Sequence, residues 1–240
     1  MTEDKIQSIK KYKYFPMLLQ SVIYIFSLSL FKIFAKFKVY GLDNVKDLHG
    51  PVIIATNHSS EWDGILAGAA MPSFWSNYPV YYVAMGKHEY INSGWRNLVY
   101  GGFLFKLVGA YPRYKGHKNY EYSLQNFVQI LNSGGKVCIF PEGRRSKNGT
   151  LAEPHGGVAF LAHKTKKSVI PVGITGLVNF NFLDLLLMKK RVSINFGKPI
   201  APIEIVRSQN PEVQDFKSGA IYIMDKVKEL LIANKEGQTK

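Results

Sequence analysis

Short runs without a polar residue constrain this chain more than any other feature of its sequence. Val52-Ile53-Ile54-Ala55 is continuously apolar. A strand of that kind has no face to offer water and is buried on both sides, as in sheets covered by helices. It lies within a strand expected over Pro51–Thr56. Val39–Gly41, Val80–Met85, Val108–Tyr111, Lys136–Phe140, Val169–Ile174 and Val192–Phe196 read the same way. Helical patterns alternate with them. Leu124, Phe127, Val128 and Leu131 predict a helix over Tyr120–Asn132, capped by Asn119 and closed by Gly134. A last helix is expected with Asn210 as cap, Pro211 in first position and a stripe of Val213, Phe216, Ala220, Met224, Val227 and Leu231. The polar tail from Asn234 is expected to fray. The alternation predicts an α/β fold: a mixed, largely buried central sheet flanked by helices, over residues 39–240.

Residues 1–38 are of another kind. Lys5, Lys10, Lys11 and Lys13 precede an uncharged run from Phe15 to Phe31, and Lys32, Lys36 and Lys38 follow it. At ~1.5 Å per residue the run reaches roughly 25 Å, short of the ~30 Å hydrocarbon core of a bilayer. No small-residue cleavage site follows, so a removable signal peptide is not expected. Lysines at both ends give no preferred orientation across a membrane, but they suit a helix dipping into one anionic leaflet. The polar breaks Gln20, Ser21, Ser27 and Ser29 do not share one helical face. A one-leaflet helical anchor over 1–38, on the cytoplasmic face of the membrane, is favoured over a true span or a buried core helix.

The 240 residues hold 31 Lys+Arg against 17 Asp+Glu, a net charge of +14. That surplus concerns partners and not fold. It points either to nucleic acid or to an anionic membrane and phosphorylated substrates. The one cysteine, Cys138, excludes a disulfide framework and a cysteine-built zinc site. Within the apolar run Val137–Phe140 it reads as a buried, reduced thiol.

Two constellations carry candidate chemistry. Asn57-His58-Ser59-Ser60-Glu61-Trp62-Asp63 follows the buried strand ending at Thr56, where ligand groups cluster in open α/β sheets. Five positions on a regular helix would turn His58 and Asp63 apart. With His58 on the preceding turn and Asp63 in the first helical turn, they can meet. Asp63 would then fix the tautomer and leave the other ring nitrogen as a base. The alternative is that Asp63 only completes a capping box with Ser60.

The second constellation is Phe140-Pro141-Glu142-Gly143-Arg144-Arg145-Ser146, a buried strand turning into two arginines. Glycine allows close backbone approach, and guanidinium forks suit phosphate. Glu142 would accept from a polyol hydroxyl or pair with an arginine. The alternative is a solvated basic turn. A third basic group, Arg113, Lys115, His117 and Lys118, faces either the same ligand or the exterior. The six histidines show no metal-ligand spacing.

Together these residues resemble the lysophosphatidate (1-acylglycerol-3-phosphate) acyltransferase family. Asn57-His58 with Asp63 matches its Asn-His-x-x-x-x-Asp block, and Phe140-Pro141-Glu142-Gly143 with Arg145-Ser146 its Phe-Pro-Glu-Gly-Thr-Arg-Ser block. Val169-Ile170-Pro171-Val172 matches its Val-x-Pro-Val strand, and Gly109–Lys115 the remaining block loosely. Two positions depart from the family: Lys115 stands where an arginine is usual, with Arg113 two residues earlier, and Arg144 replaces a threonine or serine.

The resemblance implies acyl transfer from acyl-CoA or acyl carrier protein to the sn-2 hydroxyl of lysophosphatidate, giving phosphatidic acid. His58 would be the general base and Asp63 its orienting partner. Glu142, Gly143 and Arg145, with Arg113 or Lys115, would hold the glycerol phosphate. No metal or bound cofactor is implied, and the partners are a phospholipid surface, the lysolipid and the acyl donor. Glycerol 3-phosphate or another lysophospholipid is the alternative acceptor. A nucleic-acid-binding protein is a remote alternative, resting on net charge alone.

Overall fold

The computed structural model describes residues 14–72, 79–85, 106–114 and 119–238. Helix α1 (Tyr14–Phe34) leads into strand β1 (Lys38–Tyr40) and a short 3-10 turn at Leu42–Asn44. Then come β2 (Ile53–Thr56), α2 (Trp62–Ala69), β3 (Val80–Ala84), β4 (Ala110–Pro112), α3 (Tyr120–Asn132) and β5 (Lys136–Ile139). The chain continues through α4 (Gly157–Thr165), β6 (Val169–Thr175), α5 (Phe182–Leu186), β7 (Ser193–Phe196), α6 (Pro202–Ile205) and α7 (Val213–Gln238).

The seven strands form one sheet in the order β1-β7-β6-β2-β5-β3-β4. Strands β6, β2, β5, β3 and β4 run parallel, while β7 is antiparallel to β6 and β1 is parallel to β7. The sheet is therefore mixed, with β2 at its centre. Successive side chains of a strand point to opposite faces, and the core divides accordingly. Ile54 and Cys138 pack with Tyr24 and Phe31 of α1 and Leu66 of α2. Ile53, Ala55, Val137 and Ile139 pack on the other side with Phe127 of α3, Val158 of α4 and Ala220 of α7. This explains the apolar runs: each face of the central strands meets a helical layer.

Each strand expected from the sequence is present, several with ends moved by one or two residues. The run from Val108 becomes β4 only at Ala110, because Gly109 takes a left-handed φ of 82° and interrupts the extended chain. Helix α3 has the expected bounds, and the Asn119 side chain accepts a 2.8 Å bond from the Glu121 amide. Helix α7 starts later than expected. The Asp215 carboxylate accepts the Glu212 amide at 2.8 Å, so the cap forms there and not at Asn210. Val213 consequently lies outside the buried stripe, at 60% exposure, and the helix continues to Gln238 instead of fraying from Asn234.

Helix α1 has inverted polarity. Gln20, Ser21 and Ser27 are buried beside Tyr24 and Phe31, whereas Leu18, Val22, Ile25, Phe26 and Ile33 are exposed. Three of the four polar breaks thus gather on the inner side, and Ser29 alone faces out. The inner polar groups are satisfied. The Gln20 amide donates to the carbonyls of Val80 (2.7 Å) and Val108 (2.8 Å), and its oxygen accepts from the Val80 amide at 3.0 Å. Ser21 and Ser27 donate to the carbonyls four residues back. The hydroxyls of Tyr24 and Tyr82 are hydrogen-bonded to each other. Gly68 of α2 makes this approach possible: a Cβ there would sit 2.5 Å from the Tyr24 hydroxyl and 2.8 Å from that of Tyr82.

Two outcomes follow. Gln20→Ala leaves three main-chain bonds unmade in a buried place, and chemical denaturation should register a loss of about 2–4 kcal/mol. Cys138 is fully buried, and burial pushes its thiol well above the usual range. A thiol reagent should therefore label it only after unfolding.

Candidate active site

The register of β2 against β5 brings the two constellations together. Ile53 pairs with Val137, Ile54 with Cys138 and Ala55 with Ile139. The same separation of 84 residues persists past the strand ends, where the His58 amide donates to Glu142 and Arg145 donates to Glu61. Adjacent parallel strands thus deliver both loops to one C-terminal edge of the sheet.

On the β2 side, Asn57 behaves as an extra strand residue. Its side-chain amide donates to the Ile174 carbonyl (3.0 Å) and its oxygen accepts the Ile174 amide (2.8 Å), which ties the end of β2 to β6. His58 follows on the turn before α2, and Asp63 is the second residue of that helix. The His58 Nδ1 lies 3.0 Å from Asp63 Oδ2. That oxygen also accepts the main-chain amides of Ser59 (2.5 Å) and Ser60 (2.7 Å). Two sequence readings of Asp63 stood as alternatives, an orienting partner for His58 and a cap for the turn. One carboxylate does both.

Asp63 is fully buried, while the His58 side chain retains 20% exposure. An ionised carboxylate in that place is tolerable because three donors converge on it. With Nδ1 donating to Asp63, Nε2 carries the lone pair. Among the described residues Nε2 has no protein partner. The His58 ring stacks on Phe140, with centroids 3.9 Å apart and planes at 20°. The imidazole is therefore held by its neighbours on one edge and one face.

On the β5 side, Glu142 makes main-chain contacts that the sequence does not announce. Its side chain is buried, and each oxygen accepts a main-chain amide: His58 at 2.9 Å and Ala152 at 2.7 Å. Its contacts are thus with the main chain of the His58 loop and of Ala152, and among the described residues neither oxygen is paired to an arginine. The Ser146 amide closes the same junction by donating to the His58 carbonyl at 2.7 Å. Gly143 holds a φ of 66°, and a Cβ there would lie 2.9 Å from the His155 ring, so only glycine suits this turn.

Arg145 lies at the surface and donates to Glu61 at 2.9 Å. Arg113 follows β4, its amide bonded to the Ala84 carbonyl. It shares the C-terminal edge with His58, but three strands away, a lateral distance of about 14 Å at ~4.8 Å per strand. Lys115, with His117 and Lys118, lies outside the described residues. Sequence reasoning did not anticipate the Asn57 clamp, the stacking of Phe140 or the Ala152 amide. Only the first two had a local signal, in polar Asn57 directly after an apolar strand and in the aromatic ending of the next one.

A buried carboxylate hydrogen-bonded to a histidine ring at the edge of a parallel sheet is an arrangement suited to general-base chemistry. A sequence model of the Acyltransferase family matches residues 36–175, more than half the chain, and the chain belongs to that family.

Relatives include a chloroplast 1-acyl-sn-glycerol-3-phosphate acyltransferase of Arabidopsis thaliana, 25% identical over 172 residues, covering 70% of this chain and 44% of the relative. A glycerol-3-phosphate acyltransferase of Xylella fastidiosa is 25% identical over 232 residues, covering 81% of this chain and 26% of the relative. The chain thus spans less than half the length of these relatives. The crystal structure of the 1-acyl-sn-glycerophosphate acyltransferase PlsC of Thermotoga maritima superposes with a TM-score of 0.60. It covers 98% of this chain and 84% of that one at 16% identity, a likeness of fold.

The different duties of Asp63 and Glu142 separate kinetically. Asp63→Asn should lower kcat roughly 10²–10⁴-fold, since the amide disturbs the tautomer that leaves Nε2 basic. Glu142→Gln should lower kcat and stability while leaving the acceptor KM nearly unchanged. A rise in KM with kcat intact would instead mark Glu142 as a ligand for the acceptor.

Proposed function

We propose that the chain is a 1-acyl-sn-glycerol-3-phosphate O-acyltransferase, moving a fatty acyl group from acyl-CoA or acyl carrier protein to the sn-2 hydroxyl of lysophosphatidate. The observation that carries this reading is the 3.0 Å pairing of His58 with the buried Asp63, set beside the Phe140–Ser146 turn. His58 Nε2 takes the hydroxyl proton as the acceptor oxygen attacks the thioester carbonyl. Asp63 holds the ring and stabilises the imidazolium that forms. The tetrahedral adduct then expels the thiolate, which receives the proton back from His58. The step needs no metal and no bound cofactor.

The acceptor phosphate would be taken by Arg145, with help from Arg113 or Lys115 across the sheet edge, and Gly143 would keep the approach open. Arg145 already has a carboxylate partner in Glu61 at a surface position, where such a pair is worth only ~0–1 kcal/mol. A dianionic phosphate can displace it. General-base catalysis supplies roughly 10²–10⁴-fold, and positioning the rest. Residues 1–38 would seat the protein on the cytoplasmic face of the membrane, and residues 39–240 would form the catalytic domain. Lysophosphatidate, a phospholipid surface and the acyl donor are then its partners.

A second acceptor, glycerol 3-phosphate, is favoured by two observations. The Xylella relative bears that activity in its name and spans 81% of this chain. Arg144 also adds a charge where the lysophosphatidate enzymes usually have a hydroxyl residue.

Detergent-solubilised protein, assayed with both donors against lysophosphatidate, glycerol 3-phosphate and neutral lysophospholipids, decides between them. Lysophosphatidate should give the highest kcat/KM, and His58→Ala should lower turnover about 10²–10⁴-fold with unchanged thermal unfolding. Preference for glycerol 3-phosphate would move the assignment to the second reading. A His58→Ala rate near the parent's would remove the dyad.

A further inference from the structure

Helix α5 presents an apolar face that nothing among the described residues covers. Leu185 points into the core and is fully buried. Phe182, Leu183, Leu186, Leu187 and Met188 face outward at 50%, 64%, 42%, 62% and 54% exposure. Large apolar residues grouped in this way mark an interaction surface.

Two features say what occupies it. The first is continuity with α1. Phe180, on the approach to α5, stacks on Phe31 of α1 at 5.7 Å, and Trp62 packs against both rings. Beyond α5, Val192 pairs with Ala35 just past the end of α1. The outward face of α5 therefore adjoins the helix whose own outer face is apolar.

The second is charge. Lys32, Lys36, Lys38, Lys189 and Arg191 are all exposed at this junction. The one acid of the Phe180–Arg191 segment, Asp184, lies 3.9 Å from Lys190. Apolar residues rimmed by cations match an anionic lipid layer, where each Lys or Arg near the surface contributes ~1 kcal/mol. A second copy of the chain is a poor fit, because a two-fold interface would set these like charges together.

We propose that α5 is a second membrane contact, and that α1 and α5 together seat the protein on an anionic phospholipid surface. The proposal extends the reading of α1 as a membrane-associating helix. Trp62 opens α2, one residue before Asp63, and packs on Phe180 and Phe31. Both contacts therefore brace the helix that carries the catalytic carboxylate, and the His58 loop stands beside the lipid that supplies the acceptor.

The test uses the full chain, vesicles with or without a third of anionic phospholipid, and three variants. Leu183→Ser with Leu187→Ser should weaken partition onto anionic vesicles at least tenfold, while activity toward a short-chain acceptor dissolved as monomer stays at the parent level. Lys189→Gln with Arg191→Gln should lower the preference for anionic over neutral vesicles, about fivefold per charge. Val22→Ser with Phe26→Ser reports on α1 alone.

If the α1 variant loses partition and the α5 variant does not, α5 is no membrane contact, although α1 keeps its role. Parent protein that ignores vesicles altogether overturns both readings. A parent dimer that becomes monomeric in the Leu183→Ser, Leu187→Ser variant, by light scattering in detergent, assigns the face to a second copy. Altered chain-length preference with unchanged partition assigns it to the acyl chain. Either result overturns the proposal.

Discussion

The pairing of β2 with β5 is the constraint from which the site is assembled. A ladder fixes register to one residue, because a slip by one turns every side chain to the opposite face. Here both faces of the paired strands are buried, Ile54 and Cys138 on one side and Ile53, Ala55, Val137 and Ile139 on the other. The separation of 84 then continues beyond the ladder as a polar one, through His58 with Glu142 and Glu61 with Arg145. The hydrophobic core thereby sets the place of two loops that carry hardly any core residues. Asn57 adds the third tie by bonding to Ile174 of β6.

Within that frame, buried carboxylates govern the His58 loop. Asp63 gathers His58, Ser59 and Ser60 on one oxygen, and Glu142 joins the His58 and Ala152 amides. Each is costly to bury alone and is stabilised by the donors it organises. The outcome is a histidine fixed at its main chain by Glu142, at its ring edge by Asp63 and across its face by Phe140. Little remains to be ordered when a substrate arrives, which is where positioned enzymes gain rate.

Much of this was legible in the chain. The seven strands were visible because unbroken apolar runs have one interpretation inside an α/β domain, and helix α3 because its period, cap and closing glycine agree. The His58–Asp63 pair was visible as a spacing. Its second duty in capping was not separable from the first by counting positions. Glu142 was legible as important, but its two main-chain bonds were not, since a carboxylate beside two arginines suggests surface chemistry. Its burial depends on the Ala152 amide, ten residues on, which has no sequence signature. Helix α1 was misleading for a related reason. Gln20 and Ser27 share a helical face, but the partners of Gln20 lie in β3 and before β4, and composition reports none of that. Lys115 lies outside the described residues, so its place relative to Arg113 adds nothing to the sequence reading.

The Gln20 clamp also bears on the order in which the protein is made. Its acceptors and donor, at Val80 and Val108, come 60 and 88 residues after it. Gly68, against which Tyr24 closes, also emerges later than α1. A ribosome that has released α1 has therefore produced a helix with an apolar outer face and, on its inner side, a Gln20 side chain and a Tyr24 hydroxyl whose partners are still to come. The clamp on Gln20 is complete only when residue 108 follows. Helix α1 and the sheet it packs on consequently reach their final form together, because the clamp closes only when both are present.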